Sequence, residues 1–377
     1  MSQRSVNATL PTIGLDVRMV QFTGIGTYIR EILRNFLHSR ILQEMKLRLF
    51  GPKSHLSEFE NVPINPFYSK IYSLQEQLEY PLRLKKCALW HAPHYNIPFF
   101  KGKTKLIVTV HDLIHWIYRK EFFNRAQALY ASVMFKRLIP TADHIITVSE
   151  RTKWDLVEHF DASPQKIRVI YEGVNPEFRP LNPPDIEEVK KRYQIPERYF
   201  LCIGSLKPHK NILWLVRLYR EMLKEKNVQA SLLIVGRKNK KYSEEFAELA
   251  DLKTEKGIVY IPEVPFKDLV ALYSGALALI HPSLYEGFGL PLLESMACGT
   301  PVIAFKTASI PEVVGDAAHL VSLNHEDEMV EAIIDLQNNS QLRETFRSKG
   351  FENIKRFSWK RAAEQTIEVY KTVLTSN

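Results

Sequence analysis

Short β-branched, apolar runs alternate along this chain with stretches whose apolar residues recur at helical spacing. That is the pattern of parallel sheets whose strands are joined by crossover helices. In the first half, Ile13–Val17, Lys46–Phe50, Leu89–His91, Leu106–Val110, His144–Val148 and Ile167–Ile170 read as strands. Tyr28–Leu37, with Ile29, Leu33, Phe36 and Leu37 on one face, and Ala126–Leu138 read as helices. The second half repeats the scheme with strands at Tyr199–Ile203, Ser231–Val235, Ile258–Ile261, Leu277–His281 and Pro301–Ala304. Its helices are predicted at Leu213–Leu223, Phe246–Leu252 and Asp268–Tyr273.

Between the halves, Asn175–Asp185 carries Pro176, Pro180, Pro183 and Pro184, which hold a chain extended and remove backbone donors, so it reads as a linker. Trp359–Leu374 has helical spacing after the last strand pattern and is free to pack back on the first domain. The expected fold is α/β: two Rossmann-like doubly wound domains, residues 1–178 with 357–377, and residues 179–356. Such sheets bind ligands outside their carboxyl ends, so the chemistry is expected in a cleft between the domains.

At 377 residues and 45% hydrophobic, the chain has apolar side chains enough for two cores. Its net charge of +9 is confined to one half: residues 1–180 hold 25 Lys/Arg against 16 Asp/Glu, and residues 181–377 hold 26 against 26. A basic half attracts phosphate-bearing substrates, an anionic membrane face or nucleic acid, or simply keeps a surface solvated. The basic segments Arg83–Lys86 and Lys101–Lys105 lack the interleaved aromatics of a nucleic-acid platform, which weighs against nucleic acid as a partner. No apolar run approaches the roughly 20 residues of a membrane-spanning helix. Three cysteines, Cys87, Cys202 and Cys298, have no metal-binding or disulfide spacing, and a reducing cytoplasm is expected.

The richest stretch runs from His281 to Gly299. Pro291 suits a first helical turn and Gly299 the residue beyond a helix end, so the amides of Gly287, Phe288, Gly289 and Leu290 are expected at a helix N-terminus. Unpaired amides and the positive helix end favour a phosphate. Two acids bracket this anion site. Glu286 and Glu294 suit hydroxyl groups of a sugar and the diol of a ribose, although acids near a helix start are also ordinary dipole partners.

Glu286-Gly-Phe-Gly-Leu-Pro-Leu-Leu-Glu294 resembles the signature of family 4 retaining glycosyltransferases. Gly204-Ser-Leu-Lys-Pro-His-Lys-Asn211 resembles their donor-phosphate loop, Thr23–Tyr28 their first glycine loop, and Val110-His-Asp-Leu113 their inter-domain histidine. The resemblance implies the GT-B fold, with the donor held by the C-terminal domain and the acceptor by the N-terminal one. It assigns Glu286 to the donor sugar, Glu294 to the ribose, and the Gly287–Gly289 amides to the diphosphate. Lys210 becomes the cation for the leaving group, a role that also follows from the negative charge such bond cleavage creates. His111, after a strand, is assigned to the transferring sugar with Asp112 orienting its ring, and Gly24 and Gly26 to backbone contacts with donor phosphate or acceptor. Glu263 and Val264 are assigned near the nucleotide base, with Pro262 in place of a common glycine. Tyr171–Asn175 resembles a hinge and reads as a turn.

Ser205 and His209 stand where many members carry an arginine, so the second phosphate cation falls to Lys207 or to protonated His209. No Asp-x-Asp occurs, and Glu326-Asp327-Glu328 reads as a helix start, so no metal and no cofactor is expected. The implied activity is retaining hexosyl transfer, mannose-like and from a guanine nucleotide, to a glycan or lipid-linked acceptor of lipopolysaccharide or O-antigen synthesis. Peripheral contact of the basic half with an anionic membrane is expected. A nucleotide-sugar epimerase or a phosphorylase of the same architecture is the enzymatic alternative, and a basic nucleic-acid-binding protein the alternative of another class.

Overall fold

The computed structural model describes residues 10–39, 41–225, 227–237, 256–323 and 325–376, with the exception of the Leu42 side chain. The predicted helix Phe246–Leu252 lies outside the described residues. Contacts divide the chain into two units: residues 1–171 with 359–377, and Glu172–Ser358.

Among the described residues, the first unit contains β1 (Thr12–Asp16), β2 (Lys46–Phe50), β3 (Ile64–Asn65), β4 (Leu89–Ala92), β5 (Lys105–Val110), β6 (His144–Thr147) and β7 (Ile167–Val169). All pair in parallel, in the order β3-β2-β1-β4-β5-β6-β7. The second unit contains β8 (Tyr199–Ile203), β9 (Ser231–Val235), β10 (Ile258–Ile261), β11 (Leu279–His281), β12 (Val302–Phe305) and β13 (His319–Val321). Its order is β10-β9-β8-β11-β12-β13, again parallel. Central strands such as β9 are buried along their whole length, which is why they read in the sequence as unbroken apolar runs. The strands absent from the sequence reading, β3 and β13, are short edge strands with little apolar signal. In both sheets the order reverses once, between β1 and β4 and between β8 and β11, and those reversals are where a doubly wound sheet opens a crevice at its carboxyl edge.

The C-terminal helix Trp359–Thr375 packs in the first unit against helix Ile25–Leu37, with Trp359 against Tyr28 and Tyr370 against Phe36. A buried polar relay fixes it to the sheet: His91 Nδ1 meets the Tyr370 hydroxyl at 2.6 Å, and His91 Nε2 meets Thr109 Oγ1 at 2.8 Å. Burial, with His111 nearby, drops the His91 pKa to about 3, so the relay is neutral at ordinary pH.

The start of the first helix is shaped by its glycines. Gly24 caps it at φ 50°, and a Cβ on Gly26 would lie 2.4 Å from the Val20 carbonyl oxygen. The Gly26 amide donates to Phe22 O at 3.0 Å, so Gly26 serves the turn itself. Gly26→Ala is expected to destabilise the fold by about 1–3 kcal/mol, because the colliding atom is backbone and must move. A thermal midpoint unchanged from wild type would contradict this.

The proline-rich stretch is not an extended linker. Pro183 and Pro184 occupy the first turn of helix Pro183–Arg192, where a missing N–H costs nothing. Phe178 meanwhile packs on Phe266 and Tyr273 of the second unit. The change of unit falls earlier, after Tyr171, ahead of a turn in which Asn175 accepts from the Glu177 and Phe178 amides.

Candidate functional site

The second sheet's reversal point brings two sequence motifs together. β8 ends at Ile203 and runs into Gly204–Asn211, where Pro208–Lys210 forms a tight turn and Asn211, at φ 55°, starts helix Ile212–Lys224. The neighbouring strand β11 ends at His281 and runs into the glutamate loop. A backbone bond from Leu284 N to His209 O, 2.8 Å, ties the two loops. Across this seam Lys210 Nζ lies 2.5 Å from Glu286 Oε1, and His281 Nε2 lies 2.9 Å from the same oxygen. Both members of the ion pair are largely shielded, with side chains 16% and 12% exposed. Lys210 is therefore not a solvent-facing lysine at a helix start. Burial alone would raise the Glu286 pKa, but Lys210, then His281 and His209, hold it well below the usual carboxylate range. Glu286 is thus a fixed carboxylate with a fixed ammonium beside it.

The glycine loop follows directly. Gly289, at φ 100°, caps helix Leu290–Ala297, with Pro291 in its first turn, and Gly299 at φ 77° follows its end. A Cβ on Gly289 would approach Leu292 Cδ1 to 2.8 Å, so both conformation and space select glycine. Ser309 Oγ is 2.8 Å from Glu286 O and 3.3 Å from Phe288 O, which anchors the loop by its carbonyls. The positive end of helix Leu290–Ala297 thus begins four residues after Glu286 of the ion pair. Glu294 stands in the second turn of this helix. It accepts a hydrogen bond from the Tyr273 hydroxyl at 2.8 Å. Burial, despite that hydrogen bond and with Glu172 adding repulsion, pushes its pKa up to about 7.

The other candidates divide by place. His209 lies in the Lys210 turn and is close enough to lower the Glu286 pKa; Ser205 and Lys207 are in the same loop, half-buried. Glu263 and Val264 follow β10, two strands from β8, and the exposed Glu263 pairs with Arg237, so they do not join the Lys210–Glu286 cluster. Gly24, Gly26 and His111 belong to the first unit. The His111 ring donates from Nε2 to Pro93 O at 3.1 Å and meets the Tyr28 ring edge-on. Asp112 Oδ1 accepts from the Ile114 amide at 3.0 Å. The acids Glu326, Asp327 and Glu328 form a first helical turn, and among the described residues Asp155, Glu158 and His159 alone have ligand atoms close enough to share an ion. Asp155 is already paired with Arg151.

Four residues of this site carry no assignment from the sequence. His281 and Ser309 orient Glu286 and its loop, Tyr273 holds Glu294, and Glu172 raises the Glu294 pKa. Only His281 had a signal, a polar residue closing an apolar strand. The others arrive from distant segments and show their role only once folded.

Residues 185–353 match the family model for glycosyl transferases group 1, and residues 22–178 that for Glycosyltransferase Family 4. O-antigen chain mannosyltransferase B of Escherichia coli is 28% identical over 371 residues, covering 93% of this chain and 96% of the relative. O-antigen chain mannosyltransferase RfbU of Salmonella typhimurium is 29% identical over 279 residues, covering 73% and 72%. The crystal structure of HepE from Anabaena, in complex with UDP and glucose, superposes with a TM-score of 0.79 at 18% identity, over 96% of this chain and 100% of that one. WaaG, a glycosyltransferase involved in lipopolysaccharide biosynthesis, superposes with a TM-score of 0.71 at 13% identity, over 97% and 100%. These structural likenesses establish the GT-B fold.

Proposed function

We propose a specific reaction for this chain, which is a glycosyltransferase and belongs to the group 1, family 4 glycosyltransferases. The reaction is transfer of a mannose-like hexose from a guanine nucleotide diphosphate sugar to a growing glycan, free or lipid-linked, with retention at the anomeric carbon. The observation that carries the donor assignment is the Lys210–Glu286–His281 cluster beside the Leu290–Ala297 helix start. Cleavage of the sugar C1–O bond leaves negative charge on the diphosphate. A cation held by a buried carboxylate, next to the positive end of a helix, stabilises that charge without having to reorganise. Glu286, kept ionised, accepts from donor-sugar hydroxyls, and Glu294 from the ribose diol. His111 is assigned to the transferring sugar. The departing phosphate takes the acceptor proton on the face it has just left, so the new bond forms on that same face. Since Lys210 and the helix end supply the positive charge, the reaction is proposed to need no metal.

The mannose and O-antigen parts of the proposal are supported by the names of the two enterobacterial relatives, at 28% and 29% identity. They make a cell-surface polysaccharide the proposed product and the cytoplasmic side of the membrane the proposed place of work. Screening the purified protein against a panel of nucleotide sugars, with product stereochemistry read by NMR, tests all of this together. The expected outcome is tightest binding of GDP-mannose, an α-linked product from the α-linked donor, and full activity in a chelator. An inverted product, or activity restored only by added divalent cation, would overturn the mechanism.

A further inference from the structure

Helix Leu74–Leu84 in the first unit carries apolar side chains on both faces, with Tyr80 and Leu84 buried in the core. Its buried face carries Glu76, fully enclosed and bonded to Arg18 at 2.9 Å and to the Asn96 side-chain amide at 3.0 Å. Its outer face carries Leu74, Leu78 and Leu82, four residues apart and 84%, 78% and 57% exposed. The second helix on this side, Arg125–Thr141, does the same with Leu129 and Val133, 66% and 45% exposed. The segment between them joins the two. Gln77 bonds to Ile97 O and Phe99 N, Arg137 bonds to Phe99 O and lies over the Phe99 and Phe100 rings, and Tyr72 packs on Tyr130. Phe100 itself is 74% exposed. Large apolar side chains gathered at this exposure mark an interaction surface.

Charge identifies the partner. Exposed Lys85 and Lys86 continue the leucine helix, exposed Lys103 follows Phe100, and exposed Arg125 and Lys136 lie on the Leu129–Val133 face at helical spacing. Glu79, on the leucine helix, is neutralised by Arg83 and held by Ser69. Apolar tips set among unpaired-sign basic residues are the chemistry of an anionic lipid surface, where the tips enter the acyl boundary and the lysines meet headgroup phosphates. A second copy fits poorly, since an isologous contact would press these same cations together.

We propose that this face, built from the outer sides of helices Leu74–Leu84 and Arg125–Thr141 and the Phe100 loop, docks on an anionic phospholipid bilayer. It adds a partner to the proposed function and rests on that reading only for its purpose, which is to hold the enzyme where a lipid-linked acceptor is presented.

The test is flotation of the purified protein with vesicles of phosphatidylglycerol and phosphatidylethanolamine, or of phosphatidylcholine alone, at low and high salt. Wild type is expected to bind the anionic vesicles at low salt and to be weakened by salt. The triple variant Leu74→Gln, Leu78→Gln, Leu82→Gln is expected to bind at least about tenfold more weakly, and Lys85→Glu with Lys86→Glu to weaken low-salt binding by about fivefold per charge or more. None of these residues supports the core or the donor site, so the thermal midpoint and slow donor hydrolysis without vesicles should be unchanged. That hydrolysis reports the donor reading separately, so loss of one result leaves the other standing. No binding by wild type at low salt, undiminished binding by the leucine variant, or a dimer that the leucine variant dissolves would each overturn the proposal.

Discussion

Lys210→Ala is expected to lower kcat by about a thousandfold, and Glu286→Gln by about a hundredfold, with the fold intact in both. The first figure is the upper end of what removing one preorganised electrostatic partner of a developing charge costs. The second is smaller because glutamine keeps one acceptor oxygen for the sugar. Lys210 lies 2.5 Å from a carboxylate that burial would otherwise push up, so the pair acts as a unit and the two losses should not add. Removing the lysine also removes the largest influence holding the Glu286 pKa down. The acid limb of kcat/KM in Lys210→Ala should therefore move to higher pH, while wild type has its limb well below the usual carboxylate range. Steady-state kinetics across pH would show this. Near-normal turnover by the alanine variant would remove Lys210 from the mechanism.

Glu294→Gln is expected to make the ligand-free protein more stable at about pH 8 while weakening donor binding by about tenfold. The reason is that the Glu294 pKa is pushed up to about 7 by burial and by Glu172. Its folded pKa lies above the ordinary value, so the protonated acid favours the fold. The associated stability is fully present below the unfolded pKa of about 4.3 and is lost as pH rises through about 7. The loss amounts to at most about 3–4 kcal/mol, which a neutral glutamine at the same place avoids. A ribose diol donates two hydrogen bonds, and the ionised acid accepts them best. Wild-type donor affinity should thus rise from about pH 6 to about pH 8 with uptake of donor coupled to release of a proton, and the glutamine variant should lose that dependence. Calorimetry of donor binding at both pH values, together with thermal melts, reads both signs. A variant that is destabilised at high pH, or that binds donor as wild type does, contradicts the assignment.

Much of the proposed donor site is local in the chain and was legible there. Pro291 and Gly299 mark the ends of helix Leu290–Ala297, and the intervening glycines mark where backbone amides stand clear of side chains. Three of the four missed residues are tertiary in origin. Ser309 reaches Glu286 O across 23 residues and Tyr273 reaches Glu294 across 21, and nothing in either local pattern distinguishes them from core serine or tyrosine. The prolines near 183 misled for the opposite reason. Proline is compatible both with an extended linker and with a first helical turn, and only the packing of Phe178 on Phe266 decided which.

What the amino-acid order settled by itself was everything that depends on short-range periodicity and backbone stereochemistry: the alternation of buried strands and amphipathic helices, the parallel doubly wound class, and the glycine-bounded helix Leu290–Ala297. What the tertiary structure decided was whatever depends on two segments meeting. It joined Lys210 to Glu286 across 76 residues, set the Glu294 pKa near 7, returned Trp359–Thr375 to the first sheet, and turned Leu74, Leu78 and Leu82 outward by burying Glu76 against Arg18. The physical reason is that burial and Coulomb energy are properties of neighbours in space, which hydropathy read along a chain does not register.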